Sequence, residues 1–541
     1  MESQRSFLVI ALAICSFFLY DAWQKDHAPK PPKPATEQVA TASGEVQLSA
    51  SGEVVAPTAV PAASKVIQVS TDVLEVSIDT AGGDIVGLHL PKYTVSLEDK
   101  TPYSLMRKLD GFSYTAQSGL LGDGPDEKGK AKPIYTATQE KFSLANGQTE
   151  LVVSLTLQRD ELNIEKRYTF TAGKYDVRVE YFLTNSGAGS KVVQPYYYLA
   201  QTIDNGKSEN MMMPVYRGGA YSTAETRYEK FSFDDMKDAA LDQSTKGGWI
   251  SMIEHYFVSA WVPAADQQNQ LFTMVSGGNL AVIGSKGPQV SLAAGEQKSI
   301  AATFYAGPKD QEQLEKIAPG LDLTVDYGFL WFLSQPLFWL MELIHGALGN
   351  WGLAIIGITI LVKGLMFPLT KKQYESMAKM RNLKPKIDDL QARYKDNKEK
   401  MGPAMMELYR KEKVNPMGGC LPMLIQMPIF LALYWMFAES VELRQAPFFF
   451  WIQDLSAADP FYVLPVLYIL SMYAMQKLTP MTVTDPMQQK IMLWMPVVFG
   501  VFFVIFPAGL VLYWVVSNLL SLAQMVYIYR DMEKRGLYVR G

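Results

Sequence analysis

Residues 351–369 read WGLAIIGITILVKGLMFPL, from Trp351 to Leu369, and Lys363 is the only charge among them. About 19 apolar residues is the length that spans the hydrocarbon of a bilayer. A lysine near the middle of such a helix costs roughly 2.5–3.5 kcal/mol, and ionisable groups there usually face a bundle interior or a water-filled cavity. The simpler alternative is snorkelling. Six residues at a rise of about 1.5 Å put Lys363 roughly 9 Å from the Leu369 end, a distance that a lysine stem largely covers. Thr359 lies one turn earlier on the same face, so the polarity forms a stripe, which favours a wet groove.

Outward from this segment, the 541-residue chain divides into two unlike halves. Its 48% hydrophobic content, with 10 Trp, 28 Tyr, 26 Phe and 27 Met, leans towards membrane. Residues 25 to about 320 are nevertheless polar, whereas the last 200 or so alternate apolar runs with basic loops. Cys15 and Cys420 are far apart and lie in or beside apolar segments, so no disulfide framework follows. His27, His89, His255 and His345 lack ligand spacing, and no metal site is expected. Neither a Walker A, a GxSxG nor an HExxH pattern is present, which leaves nucleotide-driven or hydrolytic chemistry unsupported.

Phe7–Trp23 follows Arg5 and reads as an uncleaved anchor with its N-terminus in the cytoplasm. A lipoprotein signal needs a small residue before Cys15, and Ile14 stands there. Trp351–Leu369, Leu421–Ala438, Phe461–Gln476, Ile491–Phe506 and Leu510–Tyr529 bring the expected spans to six, which returns the C-terminus to the cytoplasm. Short cytoplasmic loops carry an excess of Lys and Arg. Lys371–Lys413 holds 13 basic against 7 acidic residues, Glu439–Asp459 one against four, and Arg530–Gly541 four against two, all in agreement.

His27–Lys65, rich in Pro, Ala, Ser, Thr and Val, predicts an extended flexible linker. From Val66 to about Phe304, stretches such as VLEVSID and NIEKRYTFTAGKYDVRVEYFLTN alternate at period two between Gly, Asn and Asp turns. They predict a large β-sandwich, placed in the periplasm by the anchor. Pro308–Ala318 reads as a closing helix. Phe329–Leu348 sets aromatics beside Gln335, Glu342 and His345, as in a helix lying in the membrane–water interface; the alternative is a core helix of the sandwich. In Lys371–Lys413, one apolar stripe runs from Tyr374 to Tyr394 and another through Met401, Met405 and Leu408, which predicts an antiparallel helical hairpin. Its charge sets topology. Its Met-rich faces suit either a partner or each other.

The expected division is therefore anchor 1–24, linker 25–65, β-sandwich 66–320, interfacial region 321–349 and helical core 350–541, with the hairpin at 371–418. The runs NWGLAIIGITILVKGLMFPLTKKQYESMAKM, KVNPMGGCLPMLIQMPIFLALYWM, SVELRQAPF, VTDPMQQKIM and FPAGLVLYWVVSNLLSLAQ closely resemble the YidC/Oxa/Alb family of membrane-protein insertases, and the match covers essentially the whole chain. That resemblance implies a multi-domain membrane protein: a periplasmic all-β super-sandwich like the galactose mutarotase fold, an interfacial helix, and an α-helical transmembrane insertase core. Five core spans would enclose a hydrophilic groove, six transmembrane helices in total. The implied partners are nascent membrane proteins, the Sec translocon with its accessory subunits, the ribosome and membrane lipids, with no cofactor and no catalytic residue. One departure stands out. Gram-negative members of the family carry arginine where this chain has Lys363, so the charge is kept and the bidentate fork is lost.

Lys363 would then attract acidic residues of a translocating tail, while Thr359, Gln426, Ser517 and Asn518 would keep the groove hydrated. Gln426, Ser517 and Asn518 have an alternative reading as interhelical hydrogen-bonding groups. Ile429, Phe430, Leu433, Tyr513 and Trp514 would let an apolar segment slide into lipid. A transporter or channel with a periplasmic sensing domain predicts paired acids in other spans and an internal repeat, and neither is visible. A membrane-anchored periplasmic enzyme predicts a clustered acid–base set in the sandwich.

Overall fold

The computed structural model describes residues 45–48, 54–58, 64–126, 131–204, 215–394, 398–412, 421–478 and 486–535. The expected anchor Phe7–Trp23, residues 395–397 between the two stripes of the expected hairpin and the end of the C-terminal tail lie outside them. Within the expected linker, Glu45–Leu48 and Val54–Thr58 pair as an antiparallel hairpin. This departs from a wholly extended reading, and each paired segment begins inside one of the two copies of Ser-Gly-Glu-Val, at Glu45 and at Val54.

Val66–Pro308 forms the sandwich, an eleven-stranded and a nine-stranded sheet joined over one core. Alternation builds it. In Leu162–Thr171, Leu162, Ile164, Lys166, Tyr168 and Phe170 all point to the same side, and the four apolar residues among them are 1–2% exposed. Across the core Tyr197 of one sheet meets Trp261 of the other at 5.2 Å, and Trp261 meets Phe304 at 4.9 Å. Lys166 breaks the apolar face and is fully buried. Its Nζ donates to Gly82 O at 3.0 Å and Ser118 O at 3.1 Å, and Asp84 Oδ1 lies 4.0 Å away. Lys132, also buried, pairs with Asp84 Oδ2 and with Gln117 Oε1.

The helical half begins with α1 (Gln311–Ile317), N-capped by Asp310 Oδ1 accepting from Gln313 N at 3.1 Å. Next comes α2 (Trp331–Leu348), which buries Ser334, Phe338 and Met341 and exposes Trp331, Phe332, Trp339 and Leu343. Phe338 and Met341 belong to the core of the helical half, not to that of the sandwich, so the alternative of a sandwich helix fails.

Trp351–Leu369 is not one straight helix. α3 (Trp351–Leu365) ends at Met366, and α4 (Phe367–Asn382) leaves at 63° to it. Pro368 enters the first turn of α4, where it lacks an N–H for the preceding helix to continue. Tyr374 and Ala378 of α4 pack on Met525, Ile528 and Met532, so the first part of the Tyr374–Tyr394 stripe belongs to the bundle. The hairpin proper is α5 (Lys384–Arg393), with Pro385 in its first turn, against α6 (Lys398–Lys411). α7 (Leu421–Glu439), α8 (Val463–Leu478), α9 (Pro486–Phe502) and α10 (Ala508–Lys534) complete the bundle. α8 starts two residues later than the apolar run predicts. Asp459 fixes that start, because its carboxylate accepts from Phe461 N at 3.0 Å and Leu464 N at 2.7 Å. By length and apolarity α10 suffices to cross a bilayer, and the bent pair α3–α4 passes the same test together.

Candidate functional site

α10 runs through the middle of the bundle. Leu510, Val511, Tyr513 and Val515 share a core with Ile355 of α3, Leu433 and Phe437 of α7, and Tyr468 of α8. Below this apolar layer the helix turns polar on one side, where Ser517, Asn518, Ser521 and Gln524 recur at three- and four-residue spacing.

Lys363 comes to that stripe. It is 8% exposed, and its Nζ donates to Ser521 Oγ at 2.9 Å. Gln524 Nε2 donates to the Lys363 carbonyl at 3.1 Å, while Gln524 Oε1 is buried and has no partner among the described residues. Among the described residues no carboxylate pairs with Lys363. The ammonium turns across to a neighbouring helix, α10. The lysine also stands in the last turn of α3, where the helix dipole favours a cation by roughly 0.3–1 kcal/mol. Thr359 is fully buried, and its hydroxyl is spent on Ile355 O at 2.5 Å, within its own helix. It lies on the same face as Lys363 without touching the cluster.

The other polar candidates separate. Asn518 Nδ2 donates to Ser471 Oγ at 3.1 Å, and Ser471 donates to Tyr468 O at 2.8 Å, so Asn518 takes its alternative role as an interhelical tie to α8. Ser517 is 8% exposed on α10 and Gln426 half-buried near the start of α7. Phe430 stacks on Trp514 at 5.5 Å and on Tyr513 at 6.4 Å, and Trp514 stacks in turn on Phe503 at 3.9 Å. Ile429 packs at the rim of the same core. Leu433 has no exposed surface, so it is a core residue in this conformation and not a wall of an opening. Ser521 and Gln524 were not singled out from the sequence. Their signal was available in the three- and four-residue spacing that continues Ser517 and Asn518.

Residues 66–340 match the family model described as the YidC periplasmic domain, and residues 343–535 match the 60Kd inner membrane protein model. A Pseudoalteromonas atlantica protein named membrane protein insertase YidC is 52% identical over 99% of both chains. The chain belongs to the YidC family of membrane protein insertases. A Mannheimia succiniciproducens member of the YidC family is 49% identical over the full length of both chains. A solved structure titled as an active YidC insertase with its first transmembrane domain resolved covers 84% of this chain and 90% of its own, at 20% identity and a TM-score of 0.38. As a YidC-family protein the chain is a membrane protein insertase of the inner membrane and not an enzyme, and its substrates are nascent membrane proteins. The β-rich half is the periplasmic domain of the family, followed by the helical inner-membrane region.

Proposed function

We propose that insertion runs along the polar side of α10, with Lys363 as the attracting charge and the Phe430–Trp514 pair bounding the exit to lipid. The carrying observation is the neutral partner of Lys363: its ammonium donates to the Ser521 hydroxyl, and among the described residues no carboxylate pairs with it, so its charge stays available to an acidic segment of the substrate. Moving a polar segment through hydrocarbon costs mainly the desolvation of its backbone and charges. Exchangeable partners such as Ser521, Ser517, Gln426 and the orphaned Gln524 Oε1 lower that cost partway across. Thr359 continues the Lys363 face of α3 one turn away, and Ile429, Leu433 and Tyr513 form the apolar side behind Phe430 and Trp514. No covalent step is required.

The same reading takes six crossings, five of them in 350–541 and one at 1–24, with both termini cytoplasmic. The Lys/Arg balance of the loops supports it. The basic hairpin and tail suit a ribosome, whose phosphates attract such segments. The periplasmic domain, 66–320, suits a contact with the Sec translocon, and the exposed aromatics of α2 suit the lipid interface at 321–349.

Reconstitution tests the charge. Purified protein in liposomes should convert a small inner-membrane substrate to a protease-protected form without nucleotide. Lys363→Arg should preserve protection, and Lys363→Glu should lower it by roughly tenfold for substrates with acidic tails, a loss of about 1.4 kcal/mol of attraction. Lys363→Ala should spare substrates with uncharged tails. The opposite ranking would remove electrostatic attraction from the mechanism.

A further inference from the structure

α7 cannot finish itself. Its last residue, Glu439, puts a carboxylate at the negative end of the helix dipole, and the last carbonyls of any helix lack partners within it. Both needs are met from the sandwich. Lys309, one residue past its final strand, reaches Glu439 Oε2 at 2.7 Å, and the two residues are 3% and 5% exposed. His255 Nε2 lies 2.8 Å from Ala438 O; a carbonyl only accepts, so this nitrogen carries the proton. The Lys309 amide donates to Tyr256 O at 2.9 Å, which ties both donors to one corner of the sandwich.

The chain just beyond α7 is held at the same corner. Gln445, at φ +56°, donates its Nε2 to Thr94 O at 3.0 Å and accepts from Thr94 Oγ1 at 3.0 Å. The Arg444 guanidinium also donates to Thr94 O and stands over the rings of Tyr103 and Phe257, at 5.5 and 5.7 Å.

At the other end of this lever is Pro428, inside α7, where the ring removes one helix hydrogen bond and permits a bend. Ile429 and Phe430 follow it directly. Eleven residues from Ile429 to Glu439 make a rod of about 16 Å, and a tilt of roughly 5° about one end moves the other by about 1.4 Å. The Phe430–Trp514 ring contact, at 5.5 Å, sits at the moving end.

We propose that Lys309 and His255 are positioning residues for insertion: by holding Glu439 and Ala438 they set the tilt of α7, and with it the opening between Phe430 and Trp514. The functional half of this inference rests on the proposed exit between those two rings. The positional half does not.

Spin labels at Leu431→Cys on α7 and Leu519→Cys on α10, in full-length protein with Cys15→Ser and Cys420→Ser, report the tilt directly in nanodiscs of phosphatidylethanolamine and phosphatidylglycerol. Lys309→Met should shift or broaden the inter-label distance by roughly 1–2 Å or more, as the lever length requires. The exchanged pair Lys309→Glu with Glu439→Lys should return it towards the original distribution, which a general loss of folding would not do. His255→Ala removes one cap without exposing a charge, and it decides the question if Lys309→Met fails to fold. A distribution unchanged by the folded variants overturns the proposal. In parallel, photo-crosslinkers at Phe430 and Trp514 with a stalled nascent chain should show the Phe430 share of adducts falling several-fold in Lys309→Met. An absence of adducts at both positions in the unmutated protein would refute the exit itself, while the label distances still decide the positioning.

Discussion

Asp84 stands against two buried lysines, Lys132 and Lys166, deep in the sandwich. Burial pushes the Lys166 ammonium down to about 8, with Asp84 opposing that fall, and pushes the nearby Asp126 carboxyl up to about 6. Removing the Asp84 charge leaves two ammonium groups without their shared counter-ion. Asp84→Asn should therefore cost about 3–5 kcal/mol of sandwich stability. Thermal unfolding of the whole protein in detergent, followed at the β-sheet circular dichroism band, reads that loss; a melting temperature unchanged from the parent would mean the lysines are satisfied by carbonyls alone. The alternation of LNIEKRYTFT was legible, although Lys166, on the face of Ile164 and Tyr168, was not singled out from it. Lys363 was legible as a lone charge in an apolar run. Leu433 was not. The apolar residues of α7 run all round the helix, and a helix of that kind does not show in its sequence which side meets lipid and which meets the core.

At the scale of elements, period-two alternation made the strands readable, and apolar length made the helices readable. Their ends were harder to place because single residues decide them: Pro368 breaks the first core segment, and Asp459 delays the start of α8. The basic hairpin shows the same limit. Its stripe appeared continuous from Tyr374 to Tyr394, yet Tyr374 and Ala378 are spent on α10, and only α5 and α6 extend beyond the bundle. Across that pair, Lys386 meets Glu412 at 2.5 Å on an exposed surface, a contact worth about 0.2–1 kcal/mol. The proposed ribosome contact rests on this hairpin. Deleting Asp388–Lys400 should lower insertion of ribosome-bound substrates several-fold while α4 stays packed on α10. Equal insertion by the deleted and full-length proteins would reduce the hairpin to a topology signal.

For the whole molecule, the question is how a periplasmic sandwich serves the insertion path proposed in the helices. The site residues all belong to α3, α7 and α10, so removing Val66–Phe304 should leave insertion measurable. Removing α2 should not, because Phe338 and Met341 are core, and Ser334 Oγ donates to Ala432 O of α7 at 3.0 Å. If the sandwich acts on insertion through the end of α7, the two ways of releasing that end should not add. Four proteins measured side by side for protease-protected substrate decide this: the full chain, the chain lacking Val66–Phe304, Lys309→Met, and both changes together. The combined variant should insert no worse than the deletion alone, because without His255 and the rest of the sandwich Lys309 has nothing to anchor Glu439 against. A further several-fold loss on adding Lys309→Met to the deletion would show that the lysine contributes by another route, and that the sandwich affects insertion by some means other than holding α7.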